Sequence, residues 1–246
     1  MTLVEIALDD VAGGRIAQES GAGRLELCSS LAENGGTTPS FGFVREVVDR
    51  VQGIPLMVLV RPRGGDFVYA RDELQVMRRD IEGLRELAPG IGFVFGALTS
   101  SGEIDVAATR DLVGACAGAP VSFHKAFDST RDLPAALETL LGLGVDRVLT
   151  SGGRRTALDG VDVIRSLVAQ AAGRVTIVAG GSIRAENVAA VVAGSGVTEV
   201  HLRAPRHRPS ASDWSNPEQG YDIADVMATD GQSVRAVLAA LDGTAA

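Results

Sequence analysis

Two glutamates, two histidines, a cysteine and a set of arginines carry the chemistry this chain could do. They are Glu5, Glu26, His124, His201, Cys28, Arg61, Arg63 and Arg203, each set in or at the end of a short apolar run. Two carboxylates held close together push one pKa upward, which suits a group that must take or give a proton near neutral pH. A histidine at the end of a strand can assist that transfer. The stretch "VRPRGGDFVYA" places Arg61, Arg63 and Asp66 directly after the apolar run "IPLMVLV", so positive charge gathers at one strand end of a chain whose net charge is −8. A small anionic ligand, phosphorylated or carboxylated, is the natural partner of such a rim. Two glycine turns add to this reading: "SGG", with Ser151 and Gly152, and "AGGSI", with Gly180, Gly181 and Ser182. Backbone amides at a glycine turn ahead of a helix make an anion site.

These residues need elements to hold them. Apolar runs rich in Val, Ile, Leu and Phe recur as "LVEIAL", "RLELC", "PLMVLV", "IGFVFG", "PVSFH", "DRVLT", "RVTIVA" and "TEVHLR", each bounded by Gly, Pro or charge. They read as strands. The segments between them have helical spacing, as in Leu74, Met77, Ile81 and Leu84, or Val163, Ile164, Leu167 and Val168. Gly21, Gly142, Gly144 and Gly173 are placed to end such helices. Strand-then-helix units at a spacing of about thirty residues, in a chain near the typical length of about 250, predict a single (β/α)8 barrel domain. The competing open doubly wound sheet would carry "GxGxxG" after its first strand, and "ALDDVAGGR" does not fit. Residues 205–230 lack periodicity and read as an irregular loop, either a lid over the barrel mouth or an insertion; 231–246 read as a C-terminal helix.

Alternation along the strands then sorts the side chains. Glu5, Glu26, Cys28, Arg61, His124, His201 and Arg203 fall on the interior face, most of them toward the carboxyl ends of strands, where barrels of this kind carry their active sites. Arg61 is placed to oppose a rise in the Glu26 pKa. The alternative is purely structural, with Glu26–Arg61 and Glu5–Arg203 as ion pairs that tie neighbouring strands.

Composition narrows the class. A chain of 246 residues with 46% hydrophobic content can bury one large core. Its acidity argues against a nucleic-acid partner. No apolar stretch is long enough to span a bilayer. "MTLVEIALDD" lacks a secretory signal, and Cys28 and Cys116 are too few and too far apart for a disulfide framework, so a cytoplasmic location is expected. Cys116 lies in the helical stretch "TRDLVGACAG" and is expected to pack as a small apolar residue.

The blocks "GRLELCSSLAENGGTTPSFG", "RPRGGDFVY", "FVFGALTSSGEID", "FHKAFD" and "ALETLLGLGVDRVLTSGG" together resemble the CutC family, from the first strand to about residue 204. The resemblance implies a (β/α)8 barrel, a cytoplasmic and frequently oligomeric protein, and Cu(I) binding in copper homeostasis, with Cys28 as the metal ligand. Family members often carry a second cysteine at the end of the first strand, where this chain has Ala7. One thiolate among carboxylates and guanidiniums is a weakened site for soft Cu(I). "FHKAFD" and "AGGSI" stand where "FHRAFD" and "PGGGI" are familiar, and "HLRAP" replaces the more usual "HxSA", which sets Arg203 at the pocket rim. The expectations are therefore a copper-binding protein that uses Cys28, an enzyme that uses Glu5, Glu26, His124 and His201 on a small anion, or a scaffold whose polar interior only sets strand register.

Overall fold

A computed structural model of the chain describes residues 2–214, 216, 218 and 225–243. The eight apolar runs are the strands of a closed parallel barrel: β1 (Leu3–Leu8), β2 (Arg24–Leu27), β3 (Leu56–Leu59), β4 (Gly92–Phe95), β5 (Val121–Phe123), β6 (Arg147–Thr150), β7 (Thr176–Gly180) and β8 (Glu199–Arg203). Each strand hydrogen-bonds the next in sequence. The ring closes where β1 meets β8, with Glu5 opposite His201 and Ala7 opposite Arg203.

The helices form the outer layer. They are α1 (Val11–Glu19), a single turn α2 (Leu31–Asn34), α3 (Phe41–Arg50), α4 (Arg71–Leu87), α5 (Val106–Cys116), α6 (Leu133–Leu141), α7 (Val161–Ala171), α8 (Val188–Ser195) and α9 (Gly231–Asp242). Carboxylates start several of them: Asp10, Asp105 and Asp132 each accept from a backbone N–H three residues on, satisfying donors that have no partner within the helix. The apolar stripes face inward as expected, with Met77, Ile81 and Leu84 of α4 and Ile164 and Leu167 of α7 buried against the outer face of the strands. Gly144 and Gly173 take the left-handed conformation that ends a helix, whereas Gly142 caps α6 in an ordinary right-handed one.

Inside the ring the filling is divided. Ala7, Cys28, Met57, Leu59 and Val94 pack together as an apolar cluster on the β1–β4 side. Much of the rest of the interior is polar and charged, with Leu149 among its apolar side chains.

The segment after β8 departs from the sequence reading. It contains two antiparallel strands, β9 (Pro205–Pro209) and β10 (Asp225–Thr229), where an irregular loop was expected. "PRHRP" has neither alternation nor strand propensity, because this ribbon lies outside the barrel and its pairing supplies the order. It is tied to the barrel end by Thr229, whose N–H and hydroxyl both donate to Asp10. Residues 215, 217 and 219–224 of the expected lid, and 244–246 of the expected helix, lie outside the described residues. Among the described residues no helix is long and apolar enough to cross a membrane.

Candidate functional site

The barrel floor is ionic. Arg24, the first residue of β2, shares the inward face with Glu26 and is almost fully buried. Its guanidinium donates to Glu5 on β1 and to Glu199 on β8, and Arg147 on β6 reaches Glu199 at 3.3 Å. One layer higher, His201 Nδ1–H donates to Glu5 Oε1 at 2.7 Å and lies 3.4 Å from Glu26 Oε2. Burial alone would raise the Glu5 pKa, but the hydrogen bond and charge of His201, with Arg24 behind, hold it at about 2. Glu26 has weaker help. Burial pushes it up to about 6, the Glu5 charge adds to the rise, and His201 only partly opposes it. His201 itself is shifted upward, since the two carboxylates outweigh its burial. The two carboxylates are shifted in opposite directions, and the histidine placed low in its strand lies between them.

Above this layer a cavity of about 120 Å³ opens at the carboxyl ends of the strands. Glu26, Arg61, Phe67, His124, Lys125 and His201 line it, and Ala7, Leu31, Leu59 and Leu149 supply an apolar wall. His124 follows β5 with its ring across Gly96, where a Cβ would come within 2.6 Å of Nδ1. Its Nδ1 accepts from the Ala126 N–H at 3.2 Å, so the ring proton sits on Nε2. Burial, reinforced by the charge of Arg61, drives the His124 pKa down to about 3, and the ring is neutral. Glu26 Oε2, His124 Nε2 and Arg61 Nε are buried and have no hydrogen-bond partner. All three belong to residues that line this cavity.

The arginines are placed differently from the sequence expectation. Arg61 does not pair with Glu26. Its terminal nitrogens donate to the carbonyls of Asn34, Gly36 and Gly65, and its guanidinium lies 5.1 Å from the Phe67 ring centroid. It stands one layer above Glu26, where loop carbonyls need donors, so His201 and Arg24 hold the opposing charge instead. Arg203 likewise leaves Glu5 to Arg24 and His201. It faces Asp9 at 3.8 Å and lines a separate cavity with Arg184 and Ser233. Arg63 and Asp66 are outside the cavity: Arg63 binds Glu73, Asp66 and the Val68 carbonyl, which fastens the loop to the start of α4.

The glycine turns also hold something of their own. The carboxylate of Asp128, the last letter of "FHKAFD", accepts from the N–H groups of Ser151 and Gly153, from the hydroxyls of Thr150 and Ser151, and from Lys125 Nζ at 2.7 Å. The anion cradle at "SGG" is filled by a side chain of the same protein. Gly180 lies against Leu149, whose Cδ1 would have to move from a Cβ added there at 2.6 Å, and Gly181 accepts from the Ala157 N–H at 3.0 Å. Neither Ser151, Gly152 nor the Gly180–Ser182 turn lines the Glu26 cavity.

Residues 2–205 match the CutC family. The chain belongs to the CutC family. It is 48% identical over 214 residues to the mouse copper homeostasis protein cutC homolog, covering 87% of this chain and 78% of that one. The human homolog is 47% identical over the same length. The crystal structure of CutC from Streptococcus agalactiae superposes with a TM-score of 0.78 at 35% identity, covering 82% of this chain and 98% of that one.

The copper expectation that goes with the CutC name can be set against the donors present. Cys28 is buried and its thiol points at Glu26 Oε1 at 3.5 Å. Burial and the Glu26 charge push its pKa well above the ordinary thiol range, so it stays protonated. Ala7, which offers no ligand atom, packs beside it. Met57 presses its sulfur toward Gly92, and Cys116 is on α5, donating to the Leu112 carbonyl, with its pKa pushed up to about 12 by burial. Glu5, Glu26 and His201 could bring donor atoms within 4.8 Å of one another, but that set is two oxygens and a nitrogen. These residues do not fit Cu(I), which prefers thiolate and thioether.

Sequence reasoning missed Arg24, Asp128, Lys125 and Phe67. For Arg24 the signal was present, since alternation puts it on the Glu26 face. Asp128 and Phe67 lie past strand ends, where no periodicity reports their direction.

Proposed function

We propose that this CutC-family barrel is an enzyme that moves a proton on the carbon next to a carbonyl group of a small metabolite. The observation that carries the reading is one cavity holding a carboxylate near its titration point and, beside it, a neutral histidine with an unpartnered N–H. A general base works best with a pKa near the working pH. Glu26 is such a base, kept ionised at pH 7 by His201 in spite of its burial. His124 is an electrophile: its Nε2–H can donate to the oxygen on which negative charge develops, and being already neutral it does so without discharging a proton held for solvation. Arg61 adds fixed positive charge in the same water-poor space. Its partner is then the oxyanion formed during reaction, in place of a ready-made phosphate.

Glu5, Arg24 and His201 position Glu26 and set its pKa. The family resemblance adds a cytoplasmic setting, in keeping with two buried, unpaired cysteines, and an oligomeric state. A Cu(I) role through Cys28 finds no support in the donor set above. The test is deuterium uptake in D2O, followed by proton NMR over a panel of small aldehydes, ketones and keto acids. Uptake that is catalysed by the parent and lost in Glu26→Gln is expected; equal uptake in the two proteins overturns the reading.

A further inference from the structure

We infer that the ligand of the Glu26 cavity is an unphosphorylated α-hydroxycarbonyl compound of three carbons. The inference rests on the proton-transfer reading above and names its substrate class. Three observations lead to it: polarity, size and the fate of the glycine turn.

Polarity comes first. His124 Nε2 carries the ring proton because Nδ1 is already accepting, so it offers a donor. Arg61 offers fixed positive charge and its Nε–H, which shares the space with the Tyr69 phenol that lies against the guanidinium. Glu26 Oε2 offers an acceptor. All three atoms are buried and make no hydrogen bond of good geometry, Glu26 Oε2 having only its 3.4 Å ion contact with His201, which is costly unless something completes them. A ligand that satisfies them presents an oxygen that accepts from His124 and Arg61, and beside it a hydroxyl that donates to Glu26. A carbonyl flanked by a carbon bearing a hydroxyl has that pattern.

Size comes next. At about 30 Å³ for each water-sized unit, a cavity of about 120 Å³ has room for about four such units, or a few more atoms where bonds draw them closer than separate waters. Three-carbon hydroxycarbonyls have five or six. A phosphate ester of such a molecule adds four more and needs its own anion cradle. The amides at "SGG" are taken by Asp128, and Arg63 is held by Glu73 and Asp66 outside the cavity.

The chemistry follows without a further reagent. Glu26 removes the proton from the hydroxyl-bearing carbon. The C–H electron pair becomes the double bond of an enediolate, and the former carbonyl oxygen carries the negative charge opposite His124 and Arg61. Glu26 returns the proton to the neighbouring carbon while the hydroxyl proton passes to the first oxygen. An aldose and a ketose of equal composition interconvert, with no net oxidation.

The experiment uses dihydroxyacetone, acetone and dihydroxyacetone phosphate as probes of the full chain. Binding is read by ligand-observed NMR titration, and turnover by deuterium uptake and by conversion to glyceraldehyde. Acetone leaves Glu26 unpaired, so it should bind roughly tenfold to a hundredfold more weakly than dihydroxyacetone. Glu26→Ala should erase that difference, and the phosphate ester should bind no more tightly than dihydroxyacetone. Acetone binding equally well, the phosphate ester binding tenfold tighter, or none of the probes binding would each overturn the substrate class. The expected binding order with no deuterium uptake would keep the ligand class and sink the proton-transfer reading. Glu26-dependent uptake into carbonyls that lack the hydroxyl, at an equal rate, would do the reverse.

Discussion

Replacing Glu26 by glutamine should make this protein more stable at pH 8 and leave it unchanged at pH 4. The Glu26 pKa is raised from the ordinary 4.5 to about 6, chiefly by burial. One and a half pH units at about 1.4 kcal/mol each is about 2 kcal/mol. Because the folded pKa is above the unfolded one, the contribution of Glu26 is fully present below pH 4.5 and is lost as pH rises through 6. Glutamine imitates the protonated form and can still accept from the Cys28 thiol, so it is spared that loss. Urea unfolding of parent and Glu26→Gln at half-unit steps from pH 4 to 8 should show the two curves coinciding at the acid end. They should separate by about 2 kcal/mol at the alkaline end, the variant being the more stable. A variant of equal or lower stability at pH 8, or a difference that does not depend on pH, would refute the account of Glu26 as a carboxylate held ionised against its surroundings. Glu5 acts in the opposite sense: its pKa of about 2 supplies stability above pH 4.5 that disappears only in strong acid. A more stable Glu26→Gln is the outcome expected where a buried carboxylate is kept at a cost in stability.

Other outcomes test the neighbouring parts. Gly96→Ala should displace the His124 ring, destabilise the fold by about 1–3 kcal/mol and weaken probe binding, checked by unfolding and titration together, because the new Cβ would lie 2.6 Å from Nδ1. Asp128→Ala should uncover the amides and hydroxyls at residues 150–153 and lower stability by roughly 2–4 kcal/mol; millimolar sulfate should restore part of it in the variant and not in the parent, as thermal melts would show. Reduced protein should fail to draw Cu(I) from a chromophoric chelator, and Cys28→Ser should behave identically. Tight stoichiometric binding lost in that variant would reinstate the copper site.

How much of this was readable in advance depends on where each residue lies. Inside strands the period of two is a strong constraint, so Glu5, Glu26, Cys28 and His201 were assigned to the interior correctly, and the eight runs closed into the expected ring. Just beyond the strands that constraint ends. Arg61 was placed on the right face but given the wrong partner, because its partners are carbonyls of Asn34, Gly36 and Gly65, fixed by how two loops fold. The "SGG" turn was recognised as an anion cradle, and the anion came from residue 128, over twenty residues away in sequence. Arg24 shows a different failure. It was legible by alternation yet overlooked at a strand start, where charge is usually taken as solvated. The β9–β10 ribbon left no pattern because its order comes from mutual pairing.

The ionic floor also has a meaning for synthesis. Arg24 meets Glu199 across 175 positions of chain, and Glu5 meets His201 across 196. Contacts this distant form late, since the closure entropy must be overcome before they contribute. On a ribosome the amino-terminal strands emerge first and wait for β8. Until it arrives, Glu26 stays open to water and titrates as an ordinary carboxylate, because the burial that raises its pKa comes with the closed ring. The raised pKa of Glu26 and the ion contacts of His201 are therefore properties of the finished ring, absent from a half-made barrel.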